Sequence, residues 1–255
     1  MIHKATNIAL AAGVILKEKL KAGVTIHHKG RIDLVTDADR ASEEYIVKEL
    51  QKVFPSHGIL GEEGARIEGT SDYLWVIDPI DGTTNFAHGF PYFSVSLGLL
   101  KGEEVVLGIV HNPMNQECFV AERGSGAFLN GEKIVVSKQT ALQESLLTTG
   151  FPYDIATTAE NNLKSFELTN KVSQGVRCLG SAALDLCQVA AGRLDGFWER
   201  SLHPWDIAAG SLVVTEAGGK VTKCDGQAFR ALGHEVCATN GQIHEELLEI
   251  LAIRE

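Results

Sequence analysis

Tyr73-Leu74-Trp75-Val76-Ile77-Asp78-Pro79-Ile80-Asp81-Gly82-Thr83-Thr84-Asn85 is the stretch from which the rest of the chain is best read. Its apolar start predicts a buried strand. Two acidic side chains then stand at the strand's exit, on a sharp turn. Pro79 fixes one φ angle, and Gly82 tolerates a conformation that most residues avoid. Hard oxygen ligands crowded onto a rigid turn suit Mg²⁺. The following Gly82-Thr83 can aim a backbone N–H and a hydroxyl at an anion. Metal-assisted phosphate chemistry is the first expectation. Asp-Pro and Asp-Gly pairs are also ordinary turn punctuation, and an Asp can simply cap a helix. An aspartyl-nucleophile phosphatase of the haloacid-dehalogenase kind needs Asp-x-Asp-Gly-Thr, but position 79 is Pro, so that register fails.

The composition narrows the classes. The 255 residues, 44 % hydrophobic, can bury a sizeable core. A formal net charge of −10 without basic clusters argues against a nucleic-acid surface. The run Ile8 to Leu16 is too short to span a membrane and is followed by Lys17-Glu18-Lys19, so a buried helix face is expected there. Five widely spaced cysteines, with no C-x-x-C pair, predict reduced thiols in a cytoplasmic protein.

Helices are expected over 2–22, from Thr36 to about Phe54, over about 158–173, from Gly180-Ser181 to Ala191, over Pro204–Ala217 and from about 241. Strands are expected at 58–60, 73–78, 92–100, 104–111 and 116–122, with Asn130-Gly131 turning a hairpin. Further strands follow near 145–149, 194–198, 220–224 and 235–239, with 176–179 extended. Hairpin-linked strands over 92–136 make the first sheet largely antiparallel, so the chain reads as layered α+β or α/β, not as a dinucleotide-binding unit. One catalytic domain over 1–255 is expected, with an antiparallel half to about 140 and an α/β half from 141.

Three further acidic positions stand out. Glu62-Glu63 follow a short strand, where a solvated loop is the simpler account. Asp206, in His203-Pro204-Trp205-Asp206, enters a small apolar helix, where capping and metal ligation are both open. Thr36-Asp37-Ala38-Asp39 fits a capping box with Asp in place of Glu.

Gly61-Glu62-Glu63, Asp78–Asn85 and Trp205-Asp206-Ile207-Ala208-Ala209-Gly210, in that order, resemble the three signatures of inositol monophosphatase-like enzymes. Asp33-Leu34-Val35-Thr36-Asp37-Ala38-Asp39 and Gly180-Ser181-Ala182-Ala183 resemble two further family blocks. The resemblance implies an α-β-α-β-α sandwich of the inositol monophosphatase and fructose-1,6-bisphosphatase fold. It also implies a lithium-sensitive, Mg²⁺-dependent phosphomonoesterase, usually a homodimer, acting on a small phosphate monoester. Carried over, Glu62, Asp78 and the Ile80 carbonyl hold a first Mg²⁺. Asp78, Asp81 and Asp206 hold a second, and a weaker third ion lies near Glu62. Thr83, paired with Asp39, orients and deprotonates the attacking water, and the Gly82 and Thr83 amides hold phosphate. Arg177, Gly180, Ser181, Ala182 and Glu199 line the alcohol side together with Asp206. His28-Lys29 stands where family members often carry a Lys in the first loop. Arg200, beside Glu199, is a cation that could receive a second phosphate, which keeps fructose-1,6-bisphosphate or dual sugar specificity in play. The layout around Arg177, Gly180 and Glu199 most resembles bacterial-type enzymes acting on inositol-1-phosphate. Some bacterial relatives instead regulate RNA machinery, a reading in which binding and not hydrolysis matters.

Overall fold

A computed structural model describes residues 1–23, 25–28, 34–159 and 161–253. Lys29 and Asp33 lie outside these residues. The chain begins α1 (Ile2–Ala22), β1 (Ile26–His28), β2 (Leu34–Thr36) and α2 (Asp37–Val53). It continues β3 (Gly58–Gly61), β4 (Arg66–Ile67), β5 (Tyr73–Asp81), the short α3 (Thr83–Ala87), β6 (Ser94–Lys101), β7 (Glu104–Asn112), β8 (Glu117–Glu122), β9 (Gly126–Leu129) and β10 (Glu132–Ile134). The remainder is β11 (Leu146–Thr149), α4 (Leu163–Val172), β12 (Gly175–Arg177), α5 (Ala182–Ala190), β13 (Gly196–Arg200), α6 (Pro204–Glu216), β14 (Lys220–Thr222), β15 (Glu235–Thr239) and α7 (His244–Leu251).

Eight strands form one sheet in the order β10-β9-β8-β7-β6-β5-β3-β4. Only β3 and β5 pair parallel in it, as the hairpin-linked sequence led us to expect. A second sheet runs β12-β11-β13-β15-β14, with β11 parallel to both β12 and β13. Side-chain alternation divides the core into layers. Trp75 and Ile77 of β5 pack with α1 and α2, while Val76 faces the layer of α5 and α6. On the second sheet, Phe197 faces that same middle layer, and Trp198 packs with α7 on the far side. The order is therefore α-β-α-β-α.

The middle layer is dense because α6 is apolar almost all round, with Ile207 to Val214 buried. Its small residues let it lie close to the first sheet: a Cβ on Gly108 would overlap the Ala209 backbone, and one on Gly98 would come within 3.0 Å of the Ala208 Cβ.

Several boundaries differ from expectation. β5 does not stop at Asp78. It runs to Asp81 through a register shift between Asp78 and Asp81, the kind of bulge that tolerates Pro79. α3 was not foreseen, and a short β4 lies in the expected 66–72 loop. α4 starts at Leu163, later than 158, after Asn162 takes a left-handed φ of 65°. β13 is offset from 194–198 and continues through Arg200.

Candidate active site

The bulge near the C-terminal end of β5, an interior strand between β6 and β3, places Asp78 and Asp81 close together. The Ile80 N–H donates to Asp78 Oδ1 at 2.9 Å, holding that carboxylate against its own turn. Gly82 then adopts φ 99°, a conformation available to glycine at little cost, and α3 begins at Thr83. The Thr83 hydroxyl lies 3.0 Å from the Ile80 carbonyl and 3.1 Å from Asp39 Oδ1.

Asp39 has two roles in one carboxyl group. Its Oδ2 accepts from the Thr36 N–H at 2.7 Å and the Thr36 hydroxyl at 2.6 Å, completing the expected capping box, and its Oδ1 faces Thr83. It is fully buried, and desolvation holds it above the usual carboxylate range.

Glu62 leaves β3 next to β5, its N–H donating to the Ile77 carbonyl at 3.3 Å. The turn after it is pinned by Glu43, whose carboxylate accepts from the N–H groups of Glu63 (2.9 Å) and Ala65 (3.0 Å). Asp206 enters from the first turn of α6, where its Oδ2 accepts from the His203 N–H at 2.7 Å. Capping and convergence on the site thus occur together. Oxygens of Asp78, Asp81 and Asp206 lie within 4.8 Å of one another. Asp81 also accepts from the Ser181 hydroxyl and from the Ala183 N–H at 2.8 Å, which ties the start of α5 to the end of β5.

These groups open into one cleft of about 470 Å³. Glu62, Asp78, Ile80, Asp81, Gly82, Thr83, Gly180, Ser181, Ala182, Glu199 and Asp206 all line it, and Asp39 sits behind Thr83. Among the described residues lining it, none is Lys or Arg. Burial first, then repulsion from Glu62, Asp81 and Asp206, pushes Asp78 well above its ordinary pKa. Burial and the Asp81 charge do the same for Asp206. Asp81 rises to about 6, its desolvation partly offset by the Ser181 and α5 backbone donors. A hard-oxygen donor set held together against its own repulsion fits Mg²⁺.

Two expected residues are not brought to this cleft. Arg177 is exposed on the edge strand β12, and its Nη1 lies 3.5 Å from the Val176 carbonyl, folded back on its own strand. Arg200 cannot receive a second phosphate, because strand alternation turns it to the face opposite Glu199. Its guanidinium is spent on Asn162, Ser165 and the Leu251 carbonyl.

Other contributors escaped the sequence reading. Asp185 lines the cleft and accepts from the Tyr92 hydroxyl (2.7 Å) and the Thr148 hydroxyl (3.0 Å); burial pushes it up to about 8. An Asp one turn after Ser181 in an otherwise apolar helix was the available signal. Asn85 donates to the Tyr92 carbonyl at 2.7 Å and the Leu179 carbonyl at 2.8 Å, clamping α3 to the Gly180 turn. The stacked rings of His203 and Trp205 (5.0 Å, 5° between planes) and Tyr153 form the cleft's aromatic side.

Fold and site together define a family. The profile of the inositol monophosphatase family matches residues 1–254, and the chain belongs to that family of phosphatases. It is 45 % identical over 219 residues to the fructose-1,6-bisphosphatase/inositol-1-monophosphatase of Thermotoga maritima, covering 86 % of this chain and 82 % of that one. It is 43 % identical over 256 residues to the Nus factor SuhB of Pseudomonas aeruginosa, covering 97 % and 94 %. The inositol monophosphatase structure from Anabaena (Nostoc) sp. PCC 7120 superimposes with a TM-score of 0.90 at 42 % identity, covering 100 % of this chain and 96 % of that one. Among the described residues, no helix is long and apolar enough to cross a membrane.

Proposed function

We propose that the chain, acting as one catalytic unit, hydrolyses inositol-1-phosphate to inositol and phosphate, with water as nucleophile. The observation that carries this reading is the meeting of Asp78, Asp81 and Asp206 in a cleft lined by no Lys or Arg among its described residues, directly beside the Thr83–Asp39 pair. An anionic ester can enter such a cleft only if cations reverse its sign. Glu62, Asp78 and the Ile80 carbonyl would hold one Mg²⁺, and Asp78, Asp81 and Asp206 a second, with a weaker third near Glu62. Ions of that kind supply Lewis acidity: they ease deprotonation of water and neutralise charge on the phosphate and the departing alkoxide.

The chain's own residues do the positioning. The Thr83 hydroxyl, donating to Asp39, leaves a lone pair to accept from the attacking water, and Asp39 takes up the proton passed through that hydroxyl. The N–H groups of Gly82 and Thr83 precede the first hydrogen-bonded turn of α3 and would hold phosphate oxygens. Gly180, Ser181 and Ala182 shape the wall on the alcohol side. Glu199 accepts from the substrate's hydroxyls there, and Asp185 supports that wall from α5.

The family resemblance carries three further parts of the proposal: lithium inhibition, a homodimer and a cytoplasmic setting. Five unpaired cysteines, four of them buried, support a reducing compartment. The test is a side-by-side rate panel with Mg²⁺: inositol-1-phosphate, fructose-1,6-bisphosphate, phosphoadenosine phosphate and histidinol phosphate. The inositol ester should be fastest, and lithium should inhibit it. A faster bisphosphate would favour the sugar phosphatase reading, and no release from any ester would favour a regulatory protein.

A further inference from the structure

Glu199 and Arg200 are neighbours on β13 that face opposite ways, yet they are linked around the end of β11. Arg200 Nη1 donates to Asn162 Oδ1 at 3.3 Å and Ser165 Oγ at 3.2 Å, and its Nη2 donates to the Leu251 carbonyl at 3.0 Å. Asn162 is 4 % exposed and caps α4 in a left-handed conformation that asparagine tolerates better than most residues. Its Nδ2 donates to the Gly150 carbonyl at 2.9 Å. Gly150 completes the circuit: a Cβ there would overlap the Glu199 carboxyl group, so the glycine's missing side chain is the space in which that carboxyl rests. Gly150 also begins the cleft wall that continues through Phe151, Pro152 and Tyr153. Phe151 meets Phe166 of α4 edge-on at 5.6 Å, a second tie between that wall and the helix Asn162 caps.

We infer that Arg200, Asn162 and Gly150 form a relay that sets the position of the Glu199 carboxyl, which makes Arg200 and Asn162 positioning residues for the alcohol subsite. The inference rests on the reading of the cleft given under Proposed function. The phosphate end of the site is built by β5, α2, α3 and α6, and the described hydrogen bonds of Asp39, Asp78, Asp81, Thr83 and Asp206 do not run to this relay. Loosening the relay therefore weakens recognition of the substrate's hydroxyls and leaves phosphate chemistry intact.

The test compares inositol-1-phosphate with p-nitrophenyl phosphate, whose leaving group carries no alcohol hydroxyl for Glu199. Asn162→Asp keeps the acceptor for Arg200 and tolerates the backbone conformation, but sets a carboxylate oxygen against the Gly150 carbonyl. KM for the inositol ester should rise about fivefold to tenfold, the worth of one misplaced hydrogen bond, with kcat/KM for the nitrophenyl ester within about twofold of wild type. Arg200→Met should give the same split; should it fail to fold, Asn162→Asp carries the test. In a Glu199→Ala background, Asn162→Asp should add no further rise in KM. Equal losses on both esters, or a further rise in the Glu199→Ala background, would overturn the relay. A wild type that cleaves the nitrophenyl ester but not the inositol ester overturns the alcohol-subsite reading, and the relay's role with it.

Discussion

Thr83 Oγ1 lies 3.1 Å from Asp39 Oδ1, joining two side chains 44 positions apart where α2 meets the end of β5. The same Asp39 caps α2 through Thr36, so the geometry of the Thr83–Asp39 pair, to which we assign the orienting of the attacking water, is fixed by the helix terminus itself. Thr83→Ala should therefore lower kcat by about 10²- to 10⁴-fold, the range for loss of a positioned acid–base partner. Thr83→Ser, which keeps the hydroxyl, should recover most of that loss. Steady-state rates on inositol-1-phosphate check both, and an active Thr83→Ala enzyme would remove the pair from the mechanism.

Asp206 separates ligation from capping. In Asp206→Asn the amide oxygen can still accept from the His203 N–H, so the cap survives, while one charge leaves the cluster with Asp78 and Asp81. The Mg²⁺ concentration for half-activation should rise at least about tenfold, in the range known for loss of metal-site support. Melting in chelator should be no lower than wild type, since repulsion is relieved. A Mg²⁺ requirement identical to wild type would contradict Asp206 as a ligand.

The buried carboxylates also set a pH dependence for the metal-free chain. Asp81 and Asp185 have folded pKa values raised to about 6 and about 8 from ordinary values near 3.8. The folded state then binds more protons than the unfolded one, so stability is greatest at low pH and is lost as pH rises through those values. Thermal melting in chelator should fall between about pH 5 and pH 8, and Mg²⁺ should restore most of the loss at the upper end. A melting temperature that rises over that window without metal would contradict the buried-carboxylate account.

Packing of α6 on the first sheet can be tested apart from chemistry. Gly108→Ala forces a methyl against the Ala209 backbone, and overpacking of this kind costs about 1–3 kcal/mol. For a chain of this size that is a drop of about 2–12 °C in melting temperature. Gly98→Ala meets α6 less closely, with the Ala208 Cβ at 3.0 Å and the Ala209 nitrogen at 3.2 Å, and should cost less. Equal melting of Gly108→Ala and wild type would mean the helix can lift from the sheet.

What could be seen in the sequence follows how local each signal was. The apolar run from Tyr73 to Ile77 and the Asp78–Asn85 turn lie in one short segment, so their proximity needed no tertiary knowledge. The antiparallel character of the first sheet followed from hairpin-length connections between β6 and β10. The order of the second sheet did not, because β11, β12 and β13 are joined through helices and pair across long separations. Arg200 falls outside the strand expected at 194–198 but inside β13, which starts two residues later at Gly196. A strand's boundaries and neighbours must be known before a residue can be assigned to a face. Asp185 was passed over because one acidic residue in an apolar helix looks like surface until Tyr92 and Thr148 are seen to close over it.

Phosphate release from inositol-1-phosphate by the purified chain, followed through chelation and Mg²⁺ readdition and repeated with Asp81→Asn, tests the central proposal most directly. The expected result is release that stops on chelation, returns with Mg²⁺ and is absent in Asp81→Asn. Release that persists in chelator, or an Asp81→Asn variant as active as wild type, would contradict it.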